Sequence, residues 1–380
     1  MFTITLFPYQ PIWQIFVILR EVKNSKRIPI LIPTAPNASE LSKYLRKIDR
    51  NRRYSNFGPL HSKLVFKFSK YFKIPENNIV LMSSATMALA GAVKTASVKD
   101  KIWATPSWTF TATPAAILQG GGTPRFVDID EKSWRAKFEE NNVNTIDVLP
   151  FGDKPRFNFN YTNKEVLIVD AAASFDALKD IVFDHSKSIA YIVSLHATKL
   201  ISAGEGGIFL TNDPSWAGRV RAWSNFGFKN DSRISSEIGI NAKLTEYGAA
   251  VGLASLSQWP INRRNILNLS KEVQNICGAF GLKVSPAMSN GFATPYWIIE
   301  LESKKLKRKL KFEFDKHNIE TRDWWGNGCS VMPAYSKFEA HELESTMRLT
   351  STTIGLPFHL HLSKENLSRI KSALSKCLSA

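Results

Sequence analysis

The sequence predicts an α/β fold, with a mostly parallel central sheet in a large domain and a smaller α+β domain at the C-terminal end. The first observation is an alternation of short apolar runs with helical segments from residue 78 to about residue 210. The second is that these runs are apolar at nearly every position, which is typical of strands buried on both faces. The third is the length of 380 residues, which is sufficient for two domains.

Residues 1–27 are predicted to be an N-terminal extension of unknown role. Its apolar run, Ile12–Leu19, is too short to cross a bilayer, and no basic residues precede it as they do in a secretory signal. A strand, a partner-binding segment and an upstream translated extension are the alternatives for it. The large domain is expected over 28–259, and it begins with helices over 39–48 and through Tyr71.

The alternation follows from residue 78. Strands are predicted over 79–82, 102–104, 125–129, 148–149, 166–169, 191–193 and 208–210. Helices are predicted over 87–96 and through Ile117, where Gly120–Gly122 ends the second one. Ligands of such sheets bind beyond the carboxyl ends of the strands, so that edge is where we expect the functional residues.

The smaller domain is predicted over 260–380. It contains an apolar strand over 294–301, a basic helix and a last helix from Lys364 to the end. The basic run 304–309 has the pattern of one solvated helix face. Few residues of this domain have catalytic character.

Charge and cysteine content limit the classes of partner. The formal net charge is +17, which suits nucleic acid, an anionic membrane surface or phosphorylated small substrates. The cations are dispersed and no nucleic-acid-binding module is recognisable, so neither nucleic acid nor membrane is a predicted partner. The three cysteines are odd in number and widely spaced, which disfavours a disulfide framework or a metal site and fits a reducing compartment.

Lys199 lies on a turn between the apolar runs 191–193 and 208–210, close to the glycine-rich bend 204–207. A lysine is uncommon there because burying an ammonium is costly. In one interpretation its stem packs and its head reaches solvent. In the other it forms a Schiff base with an aldehyde cofactor, which needs a reactive amine in an enclosed site.

Asp170 ends the apolar run 166–169. It is either a helix cap or a carboxylate that faces the ring nitrogen of a pyridoxal cofactor and keeps that nitrogen protonated. Asp170 precedes Lys199 by one strand-and-crossover unit. Two neighbouring strand ends are therefore able to hold opposite sides of one ring.

Ser83–Thr86 is the turn that opens the helix over 87–96. Free amides and the dipole at a helix N-terminus suit a phosphate group, and the Thr86 hydroxyl adds a donor. A plain N-cap is the alternative for this turn. Trp108, just after a predicted strand, is either a core residue or a ring that stacks on a flat ligand.

The order of these segments resembles the DegT/StrS family of nucleotide-sugar aminotransferases, from about residue 28 to the C-terminus. The segments that carry the resemblance are 83–89 (SSATMAL), 106–110 (PSWTF), 170–172 (DAA), 194–199 (SLHATK) and 204–207 (GEGG), with further landmarks at 56–60, 126–129 and 239–246.

The resemblance implies the fold of aspartate aminotransferase, known as fold type I, and pyridoxal 5′-phosphate as cofactor. It implies that Lys199 is the Schiff-base lysine and that Asp170 faces the pyridine nitrogen. Ala85 and Thr86 would bind the phosphate through backbone and hydroxyl, and Ser194 would add a second hydroxyl. Members of the family act as homodimers with shared active sites.

Trp108 takes the place of the family's stacking aromatic residue, which is more often tyrosine or phenylalanine. Asn241 matches an asparagine that reaches the phosphate of the neighbouring subunit's cofactor. Ala173 stands where the family often has a glutamine beside the cofactor. Neither departure removes a group that the chemistry requires.

The function implied is transfer of an amino group, with glutamate as donor, to a nucleotide-linked keto-deoxysugar in the cytoplasm, for surface polysaccharide (O-antigen) or secondary-metabolite biosynthesis. The alternatives are a pyridoxal-dependent sugar dehydratase, in which a histidine replaces the lysine, and a non-catalytic regulatory protein of the same fold. The presence of Lys199 disfavours the dehydratase, and the presence of Lys199 and Asp170 disfavours the regulatory protein. His196 is expected to be a pocket or structural residue.

Overall fold

A computed structural model describes residues 27–55, 57–138, 144–155, 166–179, 181–229, 232–340 and 342–378. The predicted extension therefore lies outside the described residues except for Arg27, and so does the family landmark residue Asn56. Within the described ranges, no helix combines the length and the hydropathy that crossing a membrane would require.

Seven strands form the central sheet, as the alternating pattern predicts. They are β1 Ile79–Met82, β2 Ile102–Pro106, β3 Thr123–Val127, β4 Asn144–Val148, β5 Val166–Asp170, β6 Ser188–Ser194 and β7 Gly207–Thr211. Their order across the sheet is β1-β7-β6-β5-β4-β2-β3. Only β7 runs antiparallel to its neighbours, so the prediction of a mostly parallel sheet is confirmed.

Helices cover both faces of this sheet. They are α1 Ala38–Asn51, α2 Pro59–Phe72, α3 Ala85–Thr95, α4 Ala112–Gln119, α5 Pro214–Trp223 and α6 Glu246–Ala279. Leu167 and Val169 of β5 pack in the cluster with α1, α2 and α6, whereas Val166 and Ile168 pack in the cluster with α3, α4 and α5. Because alternate side chains enter opposite cores, the strand is apolar at each of these positions.

A second sheet follows in the C-terminal part. Its strands are β8 Lys283–Val284, β9 Trp297–Glu300 and β10 Thr353–Leu356, paired antiparallel in the order β10-β9-β8. The helices of this part are α7 Pro286–Ser289, α8 Lys304–Lys316, α9 Glu344–Thr352 and α10 Lys364–Leu378. A third core joins this sheet to α8 and α10 and also contains Ile28, whose amide donates to the Asn318 carbonyl.

Helix α6 links the two parts of the molecule. It continues through Pro260, so the predicted boundary between residues 259 and 260 falls inside one helix of 34 residues. Trp259 packs in the core of the large sheet, whereas Val273 and Cys277 pack in the C-terminal core. The division into domains 28–259 and 260–380 stays a prediction.

The basic face of α8 differs from the prediction at one residue. Lys304, Lys305, Arg308 and Lys309 are exposed. Lys307 is only 8% exposed, and its Nζ donates to the Thr350 carbonyl at 2.8 Å. It also pairs with a carboxylate of the following loop at 2.8 Å. The description of the whole run 304–309 as a solvated face is therefore wrong for this lysine.

A buried histidine near the start of α2 is expected to make the stability of the fold depend on pH. His61 is 6% exposed, and its Nε2 has no partner in the described part of the chain. Burial, with a smaller contribution from the charge of Arg221, lowers the pKa of His61 to about 4. The folded state therefore binds this proton less readily than the unfolded chain, whose histidines titrate near pH 6.5.

We expect the free energy of unfolding to fall as the pH is lowered from about 6.5 to 4, by on the order of 3 kcal/mol from this group. Above pH 6.5 both states carry a neutral His61 and the contribution is fully present. Denaturant unfolding at a series of pH values measures it, and His61→Phe should flatten this part of the curve. The exposed His185→Phe is the control and should follow the wild type. If the free energy of unfolding of His61→Phe and of wild type changed with pH in the same way, His61 would not be the group responsible.

Candidate active site

The turn that carries Lys199 is built by short backbone contacts between β6 and β7. The Leu195 and Ala197 amides donate to carbonyls of the glycine-rich bend, and the Lys199 amide donates to the His196 carbonyl at 2.9 Å. Lys199 is half-buried. Its Nζ donates to the Tyr296 hydroxyl at 2.7 Å, so the amine lies against another side chain.

Asp170 ends β5, which pairs directly with β6. The side chain is 6% exposed and accepts hydrogen bonds from the Thr113 hydroxyl at 2.7 Å and the Ala172 amide at 3.1 Å. Burial raises the pKa of Asp170, while these hydrogen bonds and the charge of Lys199 oppose the rise. A turn rather than a helix follows Asp170, so this residue is not a helix cap.

The N-terminus of α3 has the unused donors that an anion needs. Ser84 is the N-cap and accepts from the Met87 amide at 3.2 Å. The amides of Ala85 and Thr86 and the Thr86 hydroxyl make no hydrogen bond to the described part of the chain. A Cβ at Gly207 would come within 2.5 Å of the Ala85 nitrogen, so glycine is required where β7 passes this helix end. The residues fit a phosphate group.

Ser194 stands at the end of β6 and is 8% exposed. Its hydroxyl accepts from the His196 amide at 3.2 Å. The His196 ring contacts the Thr198 hydroxyl at 2.8 Å and the Glu205 carboxylate at 3.5 Å. These contacts hold the turn that precedes Lys199 and place the His196 ring within that turn.

Trp108 lies in an aromatic cluster beside this site. It is 2% exposed, and its ring meets Trp134, Phe151 and Trp325 edge-on at centroid distances of 5.4, 5.5 and 5.7 Å. Its indole N–H donates to the Trp324 carbonyl at 3.1 Å. In this arrangement Trp108 packs as a core residue, and stacking on a ligand ring would require its neighbours to move. The predicted stacking role stays a prediction.

Asn241 is exposed, and its side-chain oxygen accepts from the Lys243 ammonium at 2.8 Å. Burial lowers the pKa of Lys243. The next carbonyl, that of Ala242, accepts from the Ser83 amide at 2.8 Å, close to the start of α3. The segment that carries Asn241 therefore lies beside the candidate phosphate site of its own chain.

Two contacts within the candidate site were not predicted from the sequence. Thr113, on α4, receives a hydrogen bond from Thr109 at 2.9 Å and donates to Asp170. Tyr296 precedes β9, in the part of the chain where few catalytic residues were expected. Both reach the site through tertiary packing, for which neither residue carries a sequence signal. Ala173, in place of the family glutamine, is buried and brings no polar side chain.

Comparison with known proteins identifies the family of this chain. The model of the DegT/DnrJ/EryC1/StrS aminotransferase family matches residues 37–143 and 164–375. The dTDP-4-amino-4,6-dideoxy-D-glucose transaminase of Shigella dysenteriae is 28% identical over 378 residues, which cover 92% of this chain and 98% of that protein. GDP-perosamine synthase of Escherichia coli O157:H7 is 23% identical over 369 residues, which cover 92% of this chain and 98% of that protein.

The fold has close relatives among solved structures. A crystal structure of a DegT DnrJ EryC1 StrS aminotransferase from Brucella abortus matches with a TM-score of 0.78 at 22% identity, over 90% of this chain and 96% of that one. The predicted fold, that of the pyridoxal-dependent aminotransferases, is confirmed by this likeness.

Proposed function

The chain belongs to the DegT/DnrJ/EryC1/StrS aminotransferase family, and from this premise we propose that it transfers an amino group from glutamate to a nucleotide-linked keto-deoxysugar. The observation that carries the proposal is the placement of Asp170 at the end of β5 and of Lys199 on the turn that follows the adjacent strand β6. The names of two relatives, a dTDP-sugar transaminase and a GDP-perosamine synthase, support a nucleotide sugar as substrate.

The cofactor of this reaction is pyridoxal 5′-phosphate, and the residues present fit it. The amides of Ala85 and Thr86, with the Thr86 and Ser194 hydroxyls, would hold its phosphate. The buried Asp170 carboxylate would face its ring nitrogen. When bound, the cofactor supplies an electron-accepting ring that stabilises negative charge on the carbon next to the transferred nitrogen.

The residues of this chain supply the proton transfers. The Lys199 amine takes the proton from the α-carbon of glutamate and, in the second half of the reaction, returns a proton to the sugar carbon that becomes aminated. Asp170 holds a proton on the ring nitrogen, which matters most as charge develops in the transition state. The side chains around Trp108 exclude water from one side of the site.

Incubation of the purified protein with glutamate and a panel of nucleotide keto-sugars tests the proposal. We expect one or a few of the sugars to be converted to the amino sugar, with 2-oxoglutarate formed in equal amount, as read by mass spectrometry. Loss of water from the sugar without 2-oxoglutarate would indicate the dehydratase instead. Turnover of no sugar, with the cofactor bound, would favour the regulatory protein.

We further propose that the protein works as a homodimer whose active sites are completed by Asn241 of the neighbouring subunit. Lys243 holds the Asn241 oxygen, which leaves the amide N–H groups available to a phosphate. Exposed apolar side chains lie nearby in the chain: Phe226, Ile234, Ile238 and Tyr247 are 44–90% exposed. Such residues are typical of a surface that is covered by a partner.

Asn241→Ala is expected to weaken cofactor retention roughly ten- to a hundredfold, because an amide that donates to a phosphate contributes on the order of 1.5–3 kcal/mol. Mixing Lys199→Ala subunits with Asn241→Ala subunits decides which chain supplies the asparagine. In a two-fold dimer, half of the mixed sites would have both residues intact, so activity should return on subunit exchange. If exchange is verified and no activity returns, Asn241 acts within its own chain, as the contact of Ala242 with Ser83 would allow.

A further inference from the structure

The amine of Lys199 has one polar partner in the described part of the chain. Its Nζ lies 2.7 Å from the Tyr296 hydroxyl, at the short end of the range for hydrogen bonds with nitrogen donors. It also lies 5.2 Å from the centroid of the same ring, which is within cation–π distance. Among the described residues no carboxylate comes within ion-pair distance of this amine.

The phenol ring of Tyr296 is fixed by its neighbours. Trp324 meets it edge-on at a centroid distance of 4.8 Å, and Phe151 does so at 5.8 Å. The Tyr296 amide donates to the Thr294 hydroxyl at 3.3 Å. The hydroxyl makes no other hydrogen bond to the described residues. A fixed ring with its polar end directed at a single amine is arranged to position that amine.

We propose that Tyr296 is a positioning residue, which holds the Lys199 amine whenever that amine is not bonded to the cofactor. The proposal rests on the function proposed above, in which Lys199 alternates between a bonded and a free state. A phenol both donates and accepts hydrogen bonds. It therefore accepts from the ammonium after Lys199 has taken a proton, and donates to the neutral amine before that step. No covalent bond to Tyr296 forms or breaks.

Holding the free amine should speed the steps in which the Lys199 amine reacts. A lysine side chain has high rotamer freedom, and ordering it close to the reacting carbon is costly when nothing holds it. Tyr296 comes from the segment before β9, so the C-terminal part of the chain contributes to the chemistry of a lysine on the large sheet.

Tyr296→Phe removes only the hydroxyl and keeps the ring in its aromatic contacts. Two rates are measured by stopped-flow absorbance: attachment of pyridoxal phosphate to the apo-protein, and reaction of the loaded protein with glutamate when no sugar is present. Both depend on the free amine, and we expect both to fall roughly ten- to a hundredfold together. Binding of pyridoxamine phosphate, which does not bond to lysine, should change less than about threefold.

Tyr71→Phe is the matched control. It removes a tyrosine hydroxyl that contacts Asp176 and Trp259, outside the site, and should leave both rates unchanged. If both rates of Tyr296→Phe stay at the wild-type level, Tyr296 only packs and the proposal is wrong. If the glutamate reaction alone slows, Tyr296 acts on the donor, and the proposal is again wrong. Borohydride labelling of wild type at a lysine other than Lys199 would overturn the underlying function instead.

Discussion

The Lys199→Ala protein is expected to fold normally and to lose roughly 10⁴-fold or more of its turnover. Removal of a positioned general base costs about 10²–10⁴-fold, and here the same amine also anchors the cofactor. The turn around Lys199 is held by backbone hydrogen bonds, which an alanine preserves. The measurement is turnover of the best sugar with glutamate. The control is Lys179→Ala, an exposed lysine outside the site.

The covalent attachment of the cofactor gives an independent test of the same residue. Wild-type protein loaded with pyridoxal phosphate, reduced with borohydride and digested should carry the pyridoxyl group on Lys199. The Lys199→Ala protein should carry none at any position. A label on another lysine, or turnover that survives the substitution, would show that Lys199 is not the attachment site.

The strands of the large sheet were predictable because a strand buried on both faces is apolar throughout. The prediction was least accurate for β4, which was placed at 148–149 and runs from Asn144 to Val148. Two of its buried polar residues have partners: Asn144 donates to the Asp100 and Ile102 carbonyls, and Asp147 pairs with the buried Arg135. Such pairing is a tertiary property, so an apolar run does not reveal this strand.

The course of α6 shows a second limit of sequence patterns. Pro260 lacks the amide for one helical hydrogen bond and predicted a boundary, yet the helix continues through it. Packing of Trp259 on one core and of Val273 on another stabilises the helix on both sides of the proline. Tertiary contacts therefore outweigh the local cost.

Site residues were predictable from the sequence where they lie at or just beyond the ends of neighbouring strands. Asp170 is the last residue of β5 and Lys199 lies on the turn after the neighbouring parallel strand β6, so their proximity follows from the order of the elements. Tyr296 lies 97 residues beyond Lys199 and reaches it only because the C-terminal part packs against the large sheet. The burial of Trp108 likewise depends on a loop more than 200 residues away in the sequence.

The second large effect is expected for Asp170→Asn, which should bind the cofactor but lose at least about a hundredfold in turnover. The substitution keeps the shape of the side chain and removes its charge. Loss of one preorganised electrostatic contact to a transition state costs about 10²–10³-fold. The ring nitrogen would no longer be held protonated, so the negative charge that develops during proton removal would be less stabilised.

Thr113→Val separates the charge of Asp170 from its hydrogen bonding. The threonine hydroxyl donates to the carboxylate at 2.7 Å, and valine has a similar shape without the donor. If the charge is what matters, Thr113→Val should lower turnover only a fewfold, because the carboxylate keeps its charge and the lost hydrogen bond is present in the ground state as well as in the transition state. Equal losses in Thr113→Val and Asp170→Asn would assign the effect to the hydrogen-bond network. Asp170→Asn turnover within a fewfold of wild type would leave the carboxylate with only a structural role, in its hydrogen bonds from Thr113 and Ala172.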